Sequence, residues 1–226
     1  IKGAEALVRW NKDGKIISPG EFIPVFEKNH FIINLDQYIY EKVCIDIQEM
    51  KERVKEVPKI SINISKESLL EKDFLEKYIK ITNKYNVKPN DIELEITERT
   101  TVNDDKYIKE ILEKVKEKGF GIAIDDFGTG YSSLIMLEVM PIDTLKIDKS
   151  FIDRIGINNK EVNLIEIIML ITKKLKLKTV AEGVEKSKQV EYLKKINCDL
   201  IQGYFYSKPL DFEGFKNYIK ENKSNN

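Results

Sequence analysis

Apolar and polar residues alternate in several short stretches of the chain, and the stretches between them have a helical period. The alternation is clearest in residues 3–10, 59–65 and 92–98, and a two-residue period predicts strands with one buried face. Short apolar runs predict further strands at residues 119–124, 144–148, 178–182 and 200–206. The pattern therefore predicts seven strands in all.

Apolar residues at steps of four and three predict a long helix whose stripe is Leu35, Ile39, Val43, Ile47 and Met50. A short helix is predicted to begin at Pro19, and a separate helical stretch is predicted to end at about residue 85. The remaining helices are predicted at residues 107–115, 161–175, 186–196 and 211–221. Strands and helices alternate at roughly 30–40 residue intervals, which is typical of parallel βα units. So many units favour an α/β fold of the (β/α) barrel type over an open sheet.

Composition narrows the classes of function. The 38 basic and 38 acidic side chains cancel, so no overall field recruits a DNA or RNA polymer or an anionic membrane. Cys44 and Cys198 lack any metal-binding spacing and are expected to be reduced thiols, which fits a cytoplasmic domain. No signal peptide or apolar run of about 18 residues is seen. A single histidine, His30, argues against a zinc site.

Two adjacent carboxylates stand where the predicted strand 119–124 ends. Asp125 and Asp126 are followed by a loop with Gly128 and Gly130. Neighbouring residues of a strand face opposite sides, but this rule relaxes at the end of a strand. Both aspartates can then face one site, as a pair of metal ions about 3.5–4 Å apart would require. On its own, the stretch also fits an acidic turn.

Further polar residues lie in or just after the other predicted strands, where barrel enzymes carry their active sites. The set is Glu5, Asn63, Glu95, Asp125, Asp126, Lys146, Glu182 and Gln202. If the five carboxylates converge, their charge needs compensation, which two divalent cations and Lys146 would supply. Oxygen ligands without histidine or thiolate select Mg²⁺ or Mn²⁺. Each residue taken singly also has a structural reading, as a surface acid, a helix cap or an ion-pair partner.

The motifs that surround these residues resemble the EAL-domain family, whose members are bacterial phosphodiesterases that cut cyclic di-GMP to the linear dinucleotide. They are residues 5–10 (EALVRW), 63–65 (NIS), 95–98 (EITE), 125–132 (DDFGTGYS), 145–148 (LKID), 182–185 (EGVE), and 202–204 (QGY) with 207–209 (SKP). The resemblance covers nearly the whole chain. It implies an EAL phosphodiesterase domain over residues 1–221, with a polar tail at 222–226.

The resemblance also implies roles for individual residues. The metal-binding set would be Glu5, Asn63, Glu95, Asp125, Asp126 and Glu182, holding two Mg²⁺ or Mn²⁺ ions. Lys146 would orient or deprotonate the attacking water, and Glu5 and Glu182 belong to the catalytic group. Arg9, expected on the same strand face as Glu5, would meet a substrate phosphate, and Gln202 would lie near the water. Glu98 would brace the loop at residues 125–133, with Glu185 close to that loop.

Larger-scale expectations follow from the same resemblance. The fold would be a modified TIM-type barrel. The family's first strand, expected before the Glu-Ala-Leu motif, is not found in this sequence, which indicates either a piece of a longer polypeptide or a barrel without that strand and its substrate-contacting glutamine. Residues 132–140 carry more apolar side chains than one helix face needs, and in the family this region mediates dimerisation. A homodimer through residues 126–140 is therefore expected, with an upstream sensor or GGDEF domain in the natural polypeptide.

Two alternatives to the hydrolase remain open at this point. A catalytically silent receptor would hold cyclic di-GMP without cutting it, although no expected metal ligand is lost from this sequence. An unrelated barrel enzyme, such as a metal-assisted enolising one, could use the same carboxylates.

Overall fold

A computed structural model describes residues 1–53, 56–101, 105–128, 134–155 and 159–223. The chain divides into two compact units. The first comprises Ile1–Glu95, Lys114–Phe120 and Asp211–Asn226, and the second comprises Ile96–Glu113 and Gly121–Leu210.

The described residues form strands and α-helices that alternate along most of the chain, as the sequence predicts. The strands are β1 (Gly3–Ala6), β2 (Trp10–Lys12), β3 (Lys15–Ile17), β4 (Lys59–Asn63), β5 (Ile92–Thr97), β6 (Gly121–Phe127), β7 (Thr144–Ile147), β8 (Lys178–Ala181) and β9 (Leu200–Ile201). The helices are α1 (Pro19–Lys28), α2 (Ile32–Arg53), α3 (Lys66–Leu70), α4 (Phe74–Lys84), α5 (Asp105–Glu117), α6 (Leu134–Val139), α7 (Lys149–Ile152), α8 (Asn159–Leu175), α9 (Ser187–Lys195) and α10 (Phe212–Lys223).

In the first unit, β4 lies between β1 and β5, and both pairings are parallel. Glu5 pairs in register with Ser61, and Asn63 at the end of β4 pairs with Glu95. The inward residues Ile62 and Leu94 are almost fully buried. Because the strands are parallel, the polar residues near their carboxyl ends share one edge of the sheet.

The predicted strand at residues 3–10 is shorter in the structure, because β1 ends at Ala6. Trp10 instead begins β2, which pairs antiparallel with β3. The two strands are joined by Asp13 and Gly14, whose φ angles are 52° and 82°. Positive φ at both central residues is the geometry that Asp-Gly pairs favour in a two-residue hairpin.

The buried face of helix α2 coincides with the predicted stripe over its second half. Val43, Ile47 and Met50 are buried as expected, whereas Leu35 and Ile39 are only half-buried and Asp36 and Tyr40 are buried in the first half. A carboxylate is uncommon on the buried face of a helix. The structure supplies hydrogen-bond donors to Asp36.

In the second unit, β6, β7, β8 and β9 pair in that order, all parallel. Strand β9 covers only two residues, so the predicted strand at 200–206 is largely wrong. Gly203 turns the chain at φ 156°, and an added Cβ would collide with the backbone of Val184. The aromatic residues Tyr204, Phe205 and Tyr206 consequently leave the sheet and are exposed.

Both cysteines in the described part of the chain are free thiols, Cys44 buried and Cys198 half-buried. Helix α10 ends at Lys223, and residues 224–226 of the predicted polar tail lie outside the described residues. No helix among the described residues is long and apolar enough to cross a membrane.

Candidate active site

A β-bulge brings the two adjacent aspartates to one side of the second unit. The pairing of β6 with β7 shifts register between Ile124 and Phe127, and Asp126 has a φ of 54°. A bulge re-aims the side chains that it contains. Asp125 is buried and Asp126 is exposed, yet each has a carboxylate oxygen within 4.8 Å of the other and of a Glu182 oxygen. The expected convergence of the aspartates is observed.

Lys146 lies between two of these carboxylates. It stands on β7, and its Nζ is 3.1 Å from Asp125 Oδ1 and 2.8 Å from Glu182 Oε1. The lysine side chain is only 3% exposed, against 12% and 16% for its partners. A buried ammonium is tolerated when opposite charges contact it, so the three groups stabilise one another.

The first unit holds a second polar group near the ends of its strands. Asn63 Nδ2 donates to Glu5 Oε1 over 3.1 Å, and Glu5 and Glu95 each offer a carboxylate oxygen within 4.8 Å of the other. Glu95 is 1% exposed. Because the Asn63 amide nitrogen points at a carboxylate, its oxygen Oδ1 is left as the side that can accept a cation.

Gly128, which directly follows β6, has two close neighbours. Its N–H donates to Glu98 Oε2 over 3.4 Å. On the other side, a Cβ at Gly128 would lie 2.3 Å from the Phe151 ring, and the glycine φ is 97°. Only glycine fits this position. Residues 129–133 of the predicted loop lie outside the described residues.

Backbone hydrogen bonds fix the segments that follow β8 and β9. Glu182 N donates to Ile147 O over 3.0 Å, and Gln202 N donates to Ala181 O over 2.8 Å. Both residues therefore continue the parallel ladder by one step beyond the strand ends. Gln202 O in turn accepts from Val184 N over 3.0 Å, so the two predicted site segments support each other.

Glu185 has a partner that the sequence did not suggest. It forms an ion pair with Lys149 at the start of α7, and the hydrogen bond from Lys149 lowers the pKa of the Glu185 carboxyl group. The Glu185 backbone N–H donates to Gln189 Oε1. These contacts place Glu185 against α7 and α9.

Arg9 does not share a strand face with Glu5, since β1 ends three residues before it. The side chain is exposed, and its Nη1 donates to Val8 O over 2.7 Å. The expectation of a common face is wrong because the chain leaves the sheet before the hairpin.

Two residues near the predicted site were missed. Phe151 packs against Gly128, and no local sequence signal marks it. Asp36 is buried on α2 and bonded to Ser65, two residues after Asn63. A charged residue four positions from both Ile32 and Tyr40, on the apolar face of a helix, is a signal that could have revealed it.

The EAL domain model matches residues 1–209 of the chain. The chain belongs to the EAL domain family. Signaling protein YkoW of Bacillus subtilis (strain 168) is 38% identical over 225 residues, which is 99% of this chain and 28% of YkoW. The probable cyclic di-GMP phosphodiesterase PdeG of Escherichia coli (strain K12) is 33% identical over 213 residues, 94% of this chain and 42% of PdeG. The chain thus spans less than half of the length of each of these two relatives.

A solved EAL structure, the PaMucR phosphodiesterase in complex with c-di-GMP, is also similar. It matches with a TM-score of 0.88 and 32% identity, covering 93% of this chain and 86% of that chain. The fold class predicted from the sequence, an α/β fold of the modified TIM-type barrel of EAL domains, is confirmed by this likeness. Each of the seven predicted parallel strands has a counterpart among the described residues, although β1 and β9 are shorter than predicted and the antiparallel pair β2–β3 was not predicted.

Proposed function

We propose that this EAL domain hydrolyses cyclic di-GMP to the linear dinucleotide pGpG with the help of two Mg²⁺ or Mn²⁺ ions. Membership of the family supports this, as does the activity in the printed names of its relatives: PdeG is a probable cyclic di-GMP phosphodiesterase, and NbdA of Pseudomonas aeruginosa is named as one. The PaMucR phosphodiesterase was solved with c-di-GMP bound, which supports the same ligand here.

The observation that carries the proposal is Lys146, buried between Asp125 and Glu182 at 3.1 and 2.8 Å. A structural ion pair needs one carboxylate, whereas this lysine has two, and Asp126 adds a third nearby. The group carries a net negative charge in a partly buried position, so it attracts cations. Carboxylates in excess of the neighbouring ammonium offer oxygen ligands to divalent cations, and bound divalent cations can assist the hydrolysis of a phosphodiester.

The residues present fit hard divalent cations. The donor set that we propose is Glu5, Asn63, Glu95, Asp125, Asp126 and Glu182, all oxygen ligands. Bound divalent cations neutralise phosphate charge and make water a stronger nucleophile at neutral pH. The chain's own residues do the rest: the Glu5 contact orients the Asn63 amide, and Glu98 holds the backbone beyond Asp126 through Gly128.

Lys146 acts on the attacking water or on the phosphate that receives it. Two carboxylates contact Nζ and fix its position, so Nζ can donate hydrogen bonds that orient the water and stabilise charge on the phosphate. Gln202, fixed by its backbone bond to Ala181, presents an amide at the end of β9 for the same water. Arg9, exposed after β1, is free to move onto a substrate phosphate.

The apolar surface of the second unit supports a homodimer. Leu134, Ile135 and Val139 on α6 are 56%, 68% and 40% exposed. On α8, Leu164, Ile167 and Leu170 are 45%, 50% and 64% exposed, and Leu134 and Leu170 line the same shallow pocket. Exposed apolar side chains on two adjoining helices mark an interaction surface. We propose that a second copy of the chain covers it and that the interface steadies the loop after β6.

The setting of the domain is also proposed. We place the EAL domain at residues 1–221 and the reaction in the cytoplasm, where the substrate would be a dinucleotide second messenger and not a DNA or RNA polymer. The share of each relative that the chain covers, 28% for YkoW and 42% for PdeG, leaves room in the natural polypeptide for a sensor or GGDEF domain.

Incubation of the full-length protein with cyclic di-GMP and Mn²⁺ or Mg²⁺ tests the proposal. Linear pGpG is the expected product, and a chelator should stop its formation. Tight binding of cyclic di-GMP without turnover in either metal would instead indicate a silent receptor. Absence of both binding and turnover would refute both functions and leave an unrelated metal-dependent barrel enzyme.

A further inference from the structure

A buried carboxylate outside the proposed catalytic set holds the segment that follows one metal ligand. Asp36 on α2 is 4% exposed. Its Oδ2 accepts three hydrogen bonds: from Ser65 N over 2.9 Å, from Ser65 Oγ over 2.6 Å and from Ser68 Oγ over 2.7 Å. The proposed reaction gives this acid no task.

The donors of Asp36 lie directly after Asn63. Asn63 is the last residue of β4, the Ile64 N–H donates to Glu95 O over 2.9 Å, and the Ser65 N–H donates to Asp36. The backbone N–H groups of two successive residues are therefore held by hydrogen bonds to two different elements, β5 and α2. Ser65 Oγ in addition accepts from Ser68 N over 3.2 Å as the N-cap of α3.

We propose that Asp36 is a positioning residue for the Asn63 amide. Asp36 anchors Ser65 and thereby fixes the backbone at the end of β4. In this backbone conformation Asn63 Nδ2 donates to Glu5 Oε1, and Oδ1 remains available to a cation. This inference rests on the proposed function, because it assigns Asn63 a metal ion. Outer partners of metal ligands commonly set affinity in this way, by limiting the orientations that a ligand samples.

The cost of burying Asp36 argues against a purely space-filling role. Desolvation raises the pKa of its carboxyl group, which shows that the charged form is disfavoured at this position. An apolar residue would complete the buried face of α2 next to Ile32 and Tyr40 at no such cost. A single oxygen that accepts three donors requires a carboxylate or an amide, so these hydrogen bonds account for a polar residue at the buried position.

Three variants separate positioning from stability. Asp36→Ala removes the acceptor, and Asp36→Asn keeps an oxygen where Oδ2 stands while removing the charge. Ile47→Val, eleven residues further along α2 and fully buried, is the matched control, since it destabilises the same helix without touching Ser65. Mn²⁺ is titrated into each metal-free protein and followed by electron paramagnetic resonance, well below the unfolding temperature. The Mn²⁺ concentration for half-maximal hydrolysis gives a second readout.

We expect Asp36→Ala to weaken Mn²⁺ binding by about ten-fold or more. Asp36→Asn and Ile47→Val should bind as the wild type does. Equal Mn²⁺ affinity in Asp36→Ala and wild type would overturn the proposal, and so would an Asp36→Asn variant as weak as Asp36→Ala. If Asp36→Ala does not fold, Ser65→Ala and Ser68→Ala test the proposal, since each removes one hydroxyl donor to Asp36. Only Ser65→Ala should weaken Mn²⁺ binding, because Asp36 acts on Asn63 through Ser65. A wild type that neither binds Mn²⁺ nor turns over would contradict the proposed function instead.

Discussion

Replacing Lys146 with methionine should destabilise the metal-free protein strongly and the metal-loaded protein much less. Methionine keeps most of the side-chain volume, so the change removes mainly the charge. Asp125 and Glu182 then face each other without the cation that contacts both at 3.1 and 2.8 Å. Divalent cations can replace that charge, whereas water cannot reach it well, because Lys146 is 3% exposed.

The size of the effect follows from these distances. A pair of unit charges about 3 Å apart interacts with about 5 kcal/mol at an effective dielectric constant of about 20. Removing one partner of a buried pair typically costs about 3–5 kcal/mol, since the remaining charge stays buried. We therefore expect the free energy of unfolding of Lys146→Met to fall by about 3 kcal/mol or more in chelator.

Urea denaturation of wild type and variant, in chelator and in saturating Mn²⁺, measures this difference. The decrease in the free energy of unfolding caused by Lys146→Met should be less than half as large in saturating Mn²⁺ as in chelator. Lys149→Met is the matched control, because Lys149 is also paired with a glutamate but is 44% exposed, and exposed pairs contribute little. Equal losses of unfolding free energy with and without Mn²⁺ would refute the reasoning, because they would show that no bound cation replaces the charge of Lys146.

Other predictions test the remaining parts of the account. Glu5→Gln should abolish turnover with the fold intact, and circular dichroism together with product analysis checks this. Ile135→Glu should yield a monomer of reduced activity in analytical ultracentrifugation, while Ile16→Glu, at 57% exposure, should remain a dimer; a fully active monomer would dismiss the coupling. Burial raises the pKa of Cys44 to about 12, so this thiol should resist a thiol reagent at about pH 8 until urea unfolds the protein. Burial also raises the pKa of Asp36 above 3.8; the stability that its protonated form provides is present below that value and lost as the pH rises through the raised pKa. Asp36→Asn should therefore gain stability relative to the wild type as the pH rises above 3.8, and the same pH dependence of the free energy of unfolding in both proteins would contradict this.

The sequence predicted the parallel strands and the acidic residues at their ends, because period and residue type are local properties. It misjudged where β1 ends, since alternation continued to Trp10 although Asp13-Gly14 marks a hairpin. Nor could it tell which apolar residues of the stretch 132–140 are exposed. Leu137 is 3% exposed, whereas Ile135 is 68% exposed, and only the packing of α6 distinguishes the two.

Contacts between distant segments could not be predicted. The bulge that turns Asp126 depends on the pairing of β6 with β7, and the hydrogen bonds that Ser65 donates to Asp36 join residues 29 positions apart. The pairing of Glu185 with Lys149 spans 36 positions. Such interactions depend on tertiary register, which a single sequence does not encode in any local pattern.

Hydrolysis of cyclic di-GMP in water enriched with ¹⁸O tests the central claim most directly. The account predicts that the wild-type protein with Mn²⁺ forms pGpG whose terminal phosphate carries one ¹⁸O atom, and that chelator or Lys146→Met suppresses this product. Two results would contradict a metal-assisted attack by water at these carboxylates. One is that mass spectrometry finds no linear product from folded protein with Mn²⁺, and the other is that the product forms at the same rate in chelator.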